Sequence, residues 1–163
     1  MRAMATSRSR RVSAASTTAR PPSAAALRAL FASARRALPR AHAPYSRFQV
    51  GAAVLDERGR VHGGCNVENA AYPQGLCAEA GALSAMVLAG GRRARAVAVV
   101  AASPLLTTPC GGCRQKIAEF AGPECPVYVL GPRGVRRTFT LGELLPFGFG
   151  EGHLPEDRPP AGA

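Results

Sequence analysis

The chain has no tryptophan and one lysine, Lys116, against twenty arginines. Aromatic residues make up only 6% of its 163 positions. That leaves little from which to build the base-stacking platform of a single-strand nucleic-acid binder. Acidic residues are missing from the first third, where residues 1–47 carry ten Arg and Asp56 is the first carboxylate. From Phe48 onward there are eleven basic and ten acidic residues, a net of 11 − 10 = +1. The +11 of the whole chain therefore belongs to one end, and the domain-wide basic footprint of a nucleic-acid partner is absent. Nor is there an apolar run of the roughly 18 residues that a membrane-crossing helix needs. The longest stretch of that kind, Ala94 to Leu106, is interrupted by Arg95 and Pro104.

Met1 to Pro22 is rich in Arg, Ser, Thr and Ala and lacks the apolar centre of a secretory signal. Its composition suits either an unstructured leader, which is the expectation adopted, or an organelle transit peptide. The expected organisation is a leader over 1–22, one domain over 23–150 and a flexible tail over 151–163. Cytoplasm is the expected compartment, or an organelle if the leader is a transit peptide. Five cysteines, an odd number, point to reducing surroundings. Clustered thiols there more often bind metal or catalyse than form disulfides.

Ser23 to Leu38 places Leu27, Leu30, Phe31, Ala34 and Leu38 at helical spacing, with Ser23 as cap. Phe48–Leu55 and Arg60–Val67 read as strands about the turn "DERG". Cys77–Leu88 reads as a helix stopped by Gly90 and Gly91, and Ala96–Ala102 as a buried strand. Pro109–Phe120 reads as a third helix, Val127–Leu130 and Val135–Phe139 as strands around "GPRG", and Leu141–Leu145 as a short last helix. Interleaved in this way they predict an α/β domain of two or three layers, with a sheet of about five strands.

Chemistry concentrates at two of these helix starts. Cys77 opens one, with Glu79 two residues on; Cys110 and Cys113 open another in the spacing P-C-x-x-C. Catalytic zinc takes three protein ligands and leaves a fourth position for water or substrate. Helix N-termini favour the thiolate form of such ligands. Glu79 falls on the first turn and can serve the open position without ligating. C-x-E followed by P-C-x-x-C is the general signature of zinc deaminases, in which the Glu is the acid/base. A structural zinc with four thiolates stays open, with Cys65 or Cys125 as the fourth, and so do inert buried thiols. His42, His62 and His153 match no ligand position and read as surface or loop residues.

With "YSRFQVGAAVL" (45–55), "GCNVENAAYPQGLCAE" (64–79), "PCGGCRQ" (109–115), "EF" (119–120) and "ELLPFGFG" (143–150), the chain resembles the small, homotetrameric type of cytidine deaminase. The resemblance runs from Ala43 to about Gly150. It implies a three-layer fold with a mixed five-stranded sheet flanked by helices, and one zinc per subunit held by Cys77, Cys110 and Cys113. Glu79 becomes the proton carrier, and cytidine, with deoxycytidine, the small-molecule substrate of a pyrimidine-salvage reaction. Asn66 and Glu68 would bond ribose hydroxyls and Phe48 would pack on the pyrimidine. The backbone at Ala78 and Thr108 would meet the base, and Tyr72 and Phe149 would line a neighbouring subunit's pocket. No nucleic-acid or membrane partner is implied.

One position departs from the family. Arg usually follows the Glu and offsets the charge of three thiolates; here it is Ala80. That bears on the pH range and rate more than on the reaction. Three competitors remain at this point: a deaminase of the same fold acting on another aminonucleoside, a nucleic-acid editor, and a zinc fold without activity. The ribose-reading "NVEN" favours cytidine over the first.

Overall fold

The computed structural model describes residues 21–154. The expected leader lies almost wholly outside these residues. Of the expected tail, Glu151–His153 form a single 3-10 turn.

Helix α1 (Ala24–Ala37) is started by Ser23, whose Oγ accepts from the Ala26 N–H at 3.2 Å. Strand β1 (Val50–Asp56) and strand β2 (Val61–Cys65) form a hairpin, and helix α2 (Ala78–Leu88) follows. Then come β3 (Ala94–Ala101), α3 (Gly111–Ala118), β4 (Pro126–Gly131), β5 (Gly134–Thr140) and α4 (Leu141–Leu144). The strands lie in the order β2-β1-β3-β4-β5. β3 and β4 run parallel and the other neighbours antiparallel. The parallel pair needs a crossover, and α3 provides it.

There are three layers because both faces of the central strands are apolar. In β1, Ala53 and Leu55 pack with Leu30 and Ala34 of α1, whereas Ala52 and Val54 pack with Ala82 and Met86 of α2 and Ile117 of α3. Such two-sided burial makes a strand read as an unbroken apolar run rather than an alternating one. β5 is the opposite case, an edge strand exposed along most of its length.

Gly64 sets the height of α2 over the sheet. A Cβ there would lie 2.3 Å from Ala82 N and 2.4 Å from Ala78 O. Only glycine admits so close an approach, and it brings the first turn of α2 down onto the end of β2. Beyond β2 the chain continues the pairing loosely. Val67 exchanges backbone bonds with Leu76, Val67 N–H to Leu76 O at 2.9 Å and Leu76 N–H to Val67 O at 2.8 Å. On its other side, His42 N–H donates to Asn66 O and Glu68 N–H to His42 O, at 3.0 and 2.8 Å. Residues 42, 66–68 and 76 are thus laced into one strip that ends at Cys77.

His62 departs from the sequence expectation. It is a β2 residue whose Nε2 lies 2.9 Å from Oδ2 of Asp56, a carboxylate with 0% exposure. Its partner comes from the adjacent strand, which the sequence alone does not reveal.

Candidate metal centre and active site

Cys77 and Cys110 are the N-caps of α2 and α3, both in extended backbone conformation. An N-cap residue has left the helix but still adjoins its free N–H groups. Its side chain therefore points across the helix mouth. Cys113 lies in the first turn of α3, where a residue's Cβ leans back toward the N-terminus. The two mouths face each other, so the three Sγ atoms lie within 4.8 Å of one another. Cys77 and Cys110 Sγ are 3.9 Å apart. Zinc–thiolate bonds of about 2.3 Å in a tetrahedron require sulfurs about 3.8 Å apart, so the donor set fits zinc in kind and spacing.

Glu79, 4% exposed, completes the group. Its Oε2 accepts from Cys113 Sγ at 3.3 Å. Burial pushes the Glu79 carboxyl above its ordinary range. Burial, with the charges of Glu79 and the two other sulfurs, pushes the Cys113 thiol well up. Burial raises Cys77 as well. Cys110 goes the other way: burial would raise it, but the Cys113 backbone N–H and the two neighbouring thiols hold it below the usual thiol value. Three soft donors converge here, and for Cys77 and Cys113 burial and neighbouring charge oppose ionisation, which a bound cation would relieve.

A four-thiolate site does not form among the described residues. Cys65 Sγ is directed at Arg40 O at 3.5 Å, and Cys125 is buried with its Sγ 3.8 Å from Ala94 O. The triad is the one group among them with the geometry for a metal.

The other expected residues surround this centre unevenly. Ala78 is buried between Cys77 and Glu79, and Thr108 stands two residues before Cys110. Asn66 Oδ1 accepts from Val50 N–H at 2.7 Å and its Nδ2 donates to Phe48 O at 2.9 Å. Glu68 Oε2 accepts from the N–H groups of Tyr45 and Ser46 at 2.9 and 3.1 Å, and its Oε1 from the Ser46 hydroxyl. Both side chains expected at the ribose thus also brace the 45–50 segment. Phe48 itself is 41% exposed. Tyr72 and Phe149, at 74% and 58%, are open to solvent in the single chain. Tyr72 is edge-on to Tyr45 at 5.9 Å, and Phe149 stacks on His153 at 5.0 Å.

Three further side chains brace this region, a role that the sequence did not assign them. Arg114 donates from Nε to Pro109 O, from Nη1 to Leu144 O and from Nη2 to Thr108 Oγ1, at 2.8, 3.0 and 3.0 Å. It braces the loop that delivers Cys110, and these partners are oxygens rather than sulfurs. Gln115 pairs its amide with Phe149, Nε2 to the carbonyl at 2.6 Å and Oε1 from the N–H at 3.2 Å. Arg136 of β5 caps the carbonyls of Ser103, Pro104 and Leu105 at 2.6–3.0 Å, at the start of the same loop. Arg114 and Gln115 stand in the quoted "CRQ"; nothing in the sequence marks Arg136.

A three-layer fold around a mixed sheet, with three thiols able to hold a metal and a carboxylate at two helix mouths, defines an α/β protein of the deaminase type. A family model described as the cytidine and deoxycytidylate deaminase zinc-binding region matches residues 25–129. A cytidine deaminase of Sporosarcina psychrophila is 43% identical over 125 residues, 77% of this chain and 92% of that protein. One of Mycobacterium tuberculosis is 46% identical over 118 residues, 72% of this chain and 85% of its own. The crystal structure of cytidine deaminase from Burkholderia pseudomallei matches with a TM-score of 0.70 at 42% identity, covering 75% of this chain and 98% of that one. The chain belongs to the cytidine and deoxycytidylate deaminase family.

Proposed function

We propose that this chain hydrolyses cytidine, and deoxycytidine, to uridine or deoxyuridine and ammonia. The carrying observation is a buried carboxylate, Glu79, 3.3 Å from one of three sulfurs that converge at two helix mouths. Cys77, Cys110 and Cys113 would hold one zinc ion per chain, with the fourth position open. When bound, zinc supplies Lewis acidity and brings the pKa of a water toward about 7.

Glu79 carries the protons. Its carboxylate accepts a proton from the attacking water and passes it to the ring nitrogen beside C4. The water oxygen bonds to C4; Glu79 then takes the remaining proton of that oxygen and delivers it to the exocyclic amine, whose bond to C4 breaks, so that ammonia leaves and C4 keeps the oxygen as a carbonyl. A carboxyl raised by burial suits this exchange, because an acid/base works best with its pKa near the operating pH.

Phe48 packs on the pyrimidine, and the backbone at Ala78 and Thr108 meets the base. Asn66 and Glu68 take the sugar hydroxyls. A carboxylate offers about four acceptor positions and a side-chain amide two donors and two acceptors. The 45–50 segment uses three of the four on Glu68, and one donor and one acceptor on Asn66. The remainder is free for a ligand, and a nucleoside lacking the hydroxyls leaves those groups unpaired.

Tyr72 and Phe149 belong to a neighbouring copy's pocket in a homotetramer; their exposure in the single chain leaves them free for that. Among the described residues no helix is long and apolar enough to cross a membrane. All five cysteines are free, as a thiolate metal centre requires, and we place the reaction in the reducing cytoplasm, in pyrimidine salvage.

Zinc content measured together with uridine formation tests metal and substrate at once. The expected result is about one zinc per chain, with uridine and ammonia in equal amounts. Cytidine left intact by zinc-loaded protein overturns the proposal.

A further inference from the structure

We propose that Ser46 is a positioning residue, whose hydroxyl ties the Glu68 carboxylate to the turn that presents Phe48. This rests on the cytidine reading above and assigns a residue that the reading left without a role.

The turn is an uncommon one. Arg47 has φ 56°, and among the described residues it is the one non-glycine with positive φ. A side chain bearing Cβ disfavours that conformation, so it persists only where its surroundings impose it. Here they do. Arg47 N–H closes the turn on Ala43 O at 3.1 Å. Ser46 Oγ accepts from Phe48 N–H at 3.0 Å, bridging the left-handed residue, and donates to Glu68 Oε1. The N–H groups of Tyr45 and Ser46 both point at Glu68 Oε2. One hydroxyl therefore links the backbone of Phe48 to the carboxylate of Glu68.

A turn alone does not need a carboxylate from another segment, since Ser or Asn commonly fixes its own turn locally. Glu68 comes from the strip that runs alongside Leu76 and ends at Cys77, so the same carboxylate spans the turn and the flank of the metal centre. Its Oε2 is filled by two N–H donors, which leaves Oε1 with one acceptor position beside the Ser46 hydroxyl. Bonds from Ser46 and Tyr45 hold the Glu68 carboxyl below the usual range, hence ionised. Without the hydroxyl, Oε1 can rotate from its place and Phe48 N–H loses its acceptor. The sugar contact and the ring contact loosen together, while the metal centre is untouched.

The test compares wild type, Ser46→Ala and Ser46→Thr, each zinc-loaded, on cytidine and on 2′,3′-dideoxycytidine, which has no sugar hydroxyl at those carbons. Ser46→Ala is expected to raise KM for cytidine about tenfold, with kcat within about twofold. On the dideoxy substrate its KM rises less than about threefold, because only the ring contact is lost there, Glu68 having no hydroxyl to accept from. Ser46→Thr restores KM for cytidine, since it keeps the hydroxyl. An unchanged KM for cytidine in Ser46→Ala, equal losses on both nucleosides, or no recovery with Thr overturns the proposal. If wild type itself leaves cytidine intact, the functional reading falls and takes this inference with it. If wild type turns cytidine over and the variants fail these expectations, only the role of Ser46 falls.

Discussion

The sulfurs of Cys77 and Cys110 lie 3.9 Å apart, each on the residue that caps a different helix. That spacing is one that two ligands of a single tetrahedral ion would need, and it brings the mouths of α2 and α3 together. Replacing Cys110 with Ala is expected to remove zinc from the purified protein and to abolish uridine formation. Cys65→Ala is expected to keep both, because its thiol is directed at Arg40 O. Metal analysis after dialysis against a chelator checks the pair. Zinc retained by the Cys110 variant would contradict the three-sulfur site.

Glu79→Gln separates the carboxylate from the metal. The amide has nearly the same shape, and the buried site can keep its packing. It cannot take up and return a proton, and a positioned acid/base contributes about 10² to 10⁴ in rate. The expected outcome is full zinc content with kcat lowered about a thousandfold. A variant with normal turnover would remove Glu79 from the reaction.

Ala80 leads to a prediction in pH. Three thiolates around a dication leave a net negative centre, which disfavours further loss of a proton there. The N-termini of α2 and α3 offset part of that charge. Arg114 is next to Cys113, but its named donors go to Pro109 O, Leu144 O and Thr108 Oγ1. No arginine follows Glu79, so the acid limb of the kcat/KM profile is expected at higher pH than in Ala80→Arg. The longer side chain has somewhere to go. Ala80 borders an open groove of about 740 Å³ between α2 and α3, lined also by Leu83, Val87, Lys116 and Phe120. Superimposed profiles for the two proteins would show that the missing cation is compensated elsewhere.

The thiol cluster was legible in sequence because it depends on residue type and short spacing. Cys77, Glu79, Cys110 and Cys113 are local to two helix starts, and helix starts are signalled locally. Even so, the third helix begins at Gly111, two residues later than its Pro suggested, because Cys110 must stay extended to turn its sulfur across the mouth. The number of layers was open because "GAAVL" does not say which element covers each face; α1 and α2 divide it residue by residue. The bracing bonds were not legible. Gln115 to Phe149 joins positions 34 apart in the chain, and Arg136 reaches the 103–105 carbonyls from more than 30 away. Such contacts follow from how elements pack, and neither periodicity nor motif records them.

His62 and Asp56 supply the last prediction, one about stability. Burial alone would raise the Asp56 carboxyl. The bonds from His62, from Arg60 through backbone and side chain, and from the Arg58 backbone outweigh it, and hold Asp56 at about 2 against an ordinary 3.8. The distances are short: 2.9 Å to His62 Nε2, 2.8 Å to Arg60 N and Nε, and 2.9 Å to Arg58 N. A carboxyl whose folded pKa lies below its unfolded one binds its proton more readily when unfolded. Its contribution is therefore complete above about pH 4 and disappears as pH falls through about 2. Asp56→Asn removes the charge and weakens the turn that closes the β1–β2 hairpin, so its Tm should lie below that of wild type near neutral pH. The gap should close between about pH 4 and pH 2, where the wild-type carboxyl also loses its charge. Thermal unfolding of both proteins across that range decides it, and a gap that stays constant to pH 2 would mean that Asp56 holds the hairpin by shape and hydrogen bonding rather than by its charge.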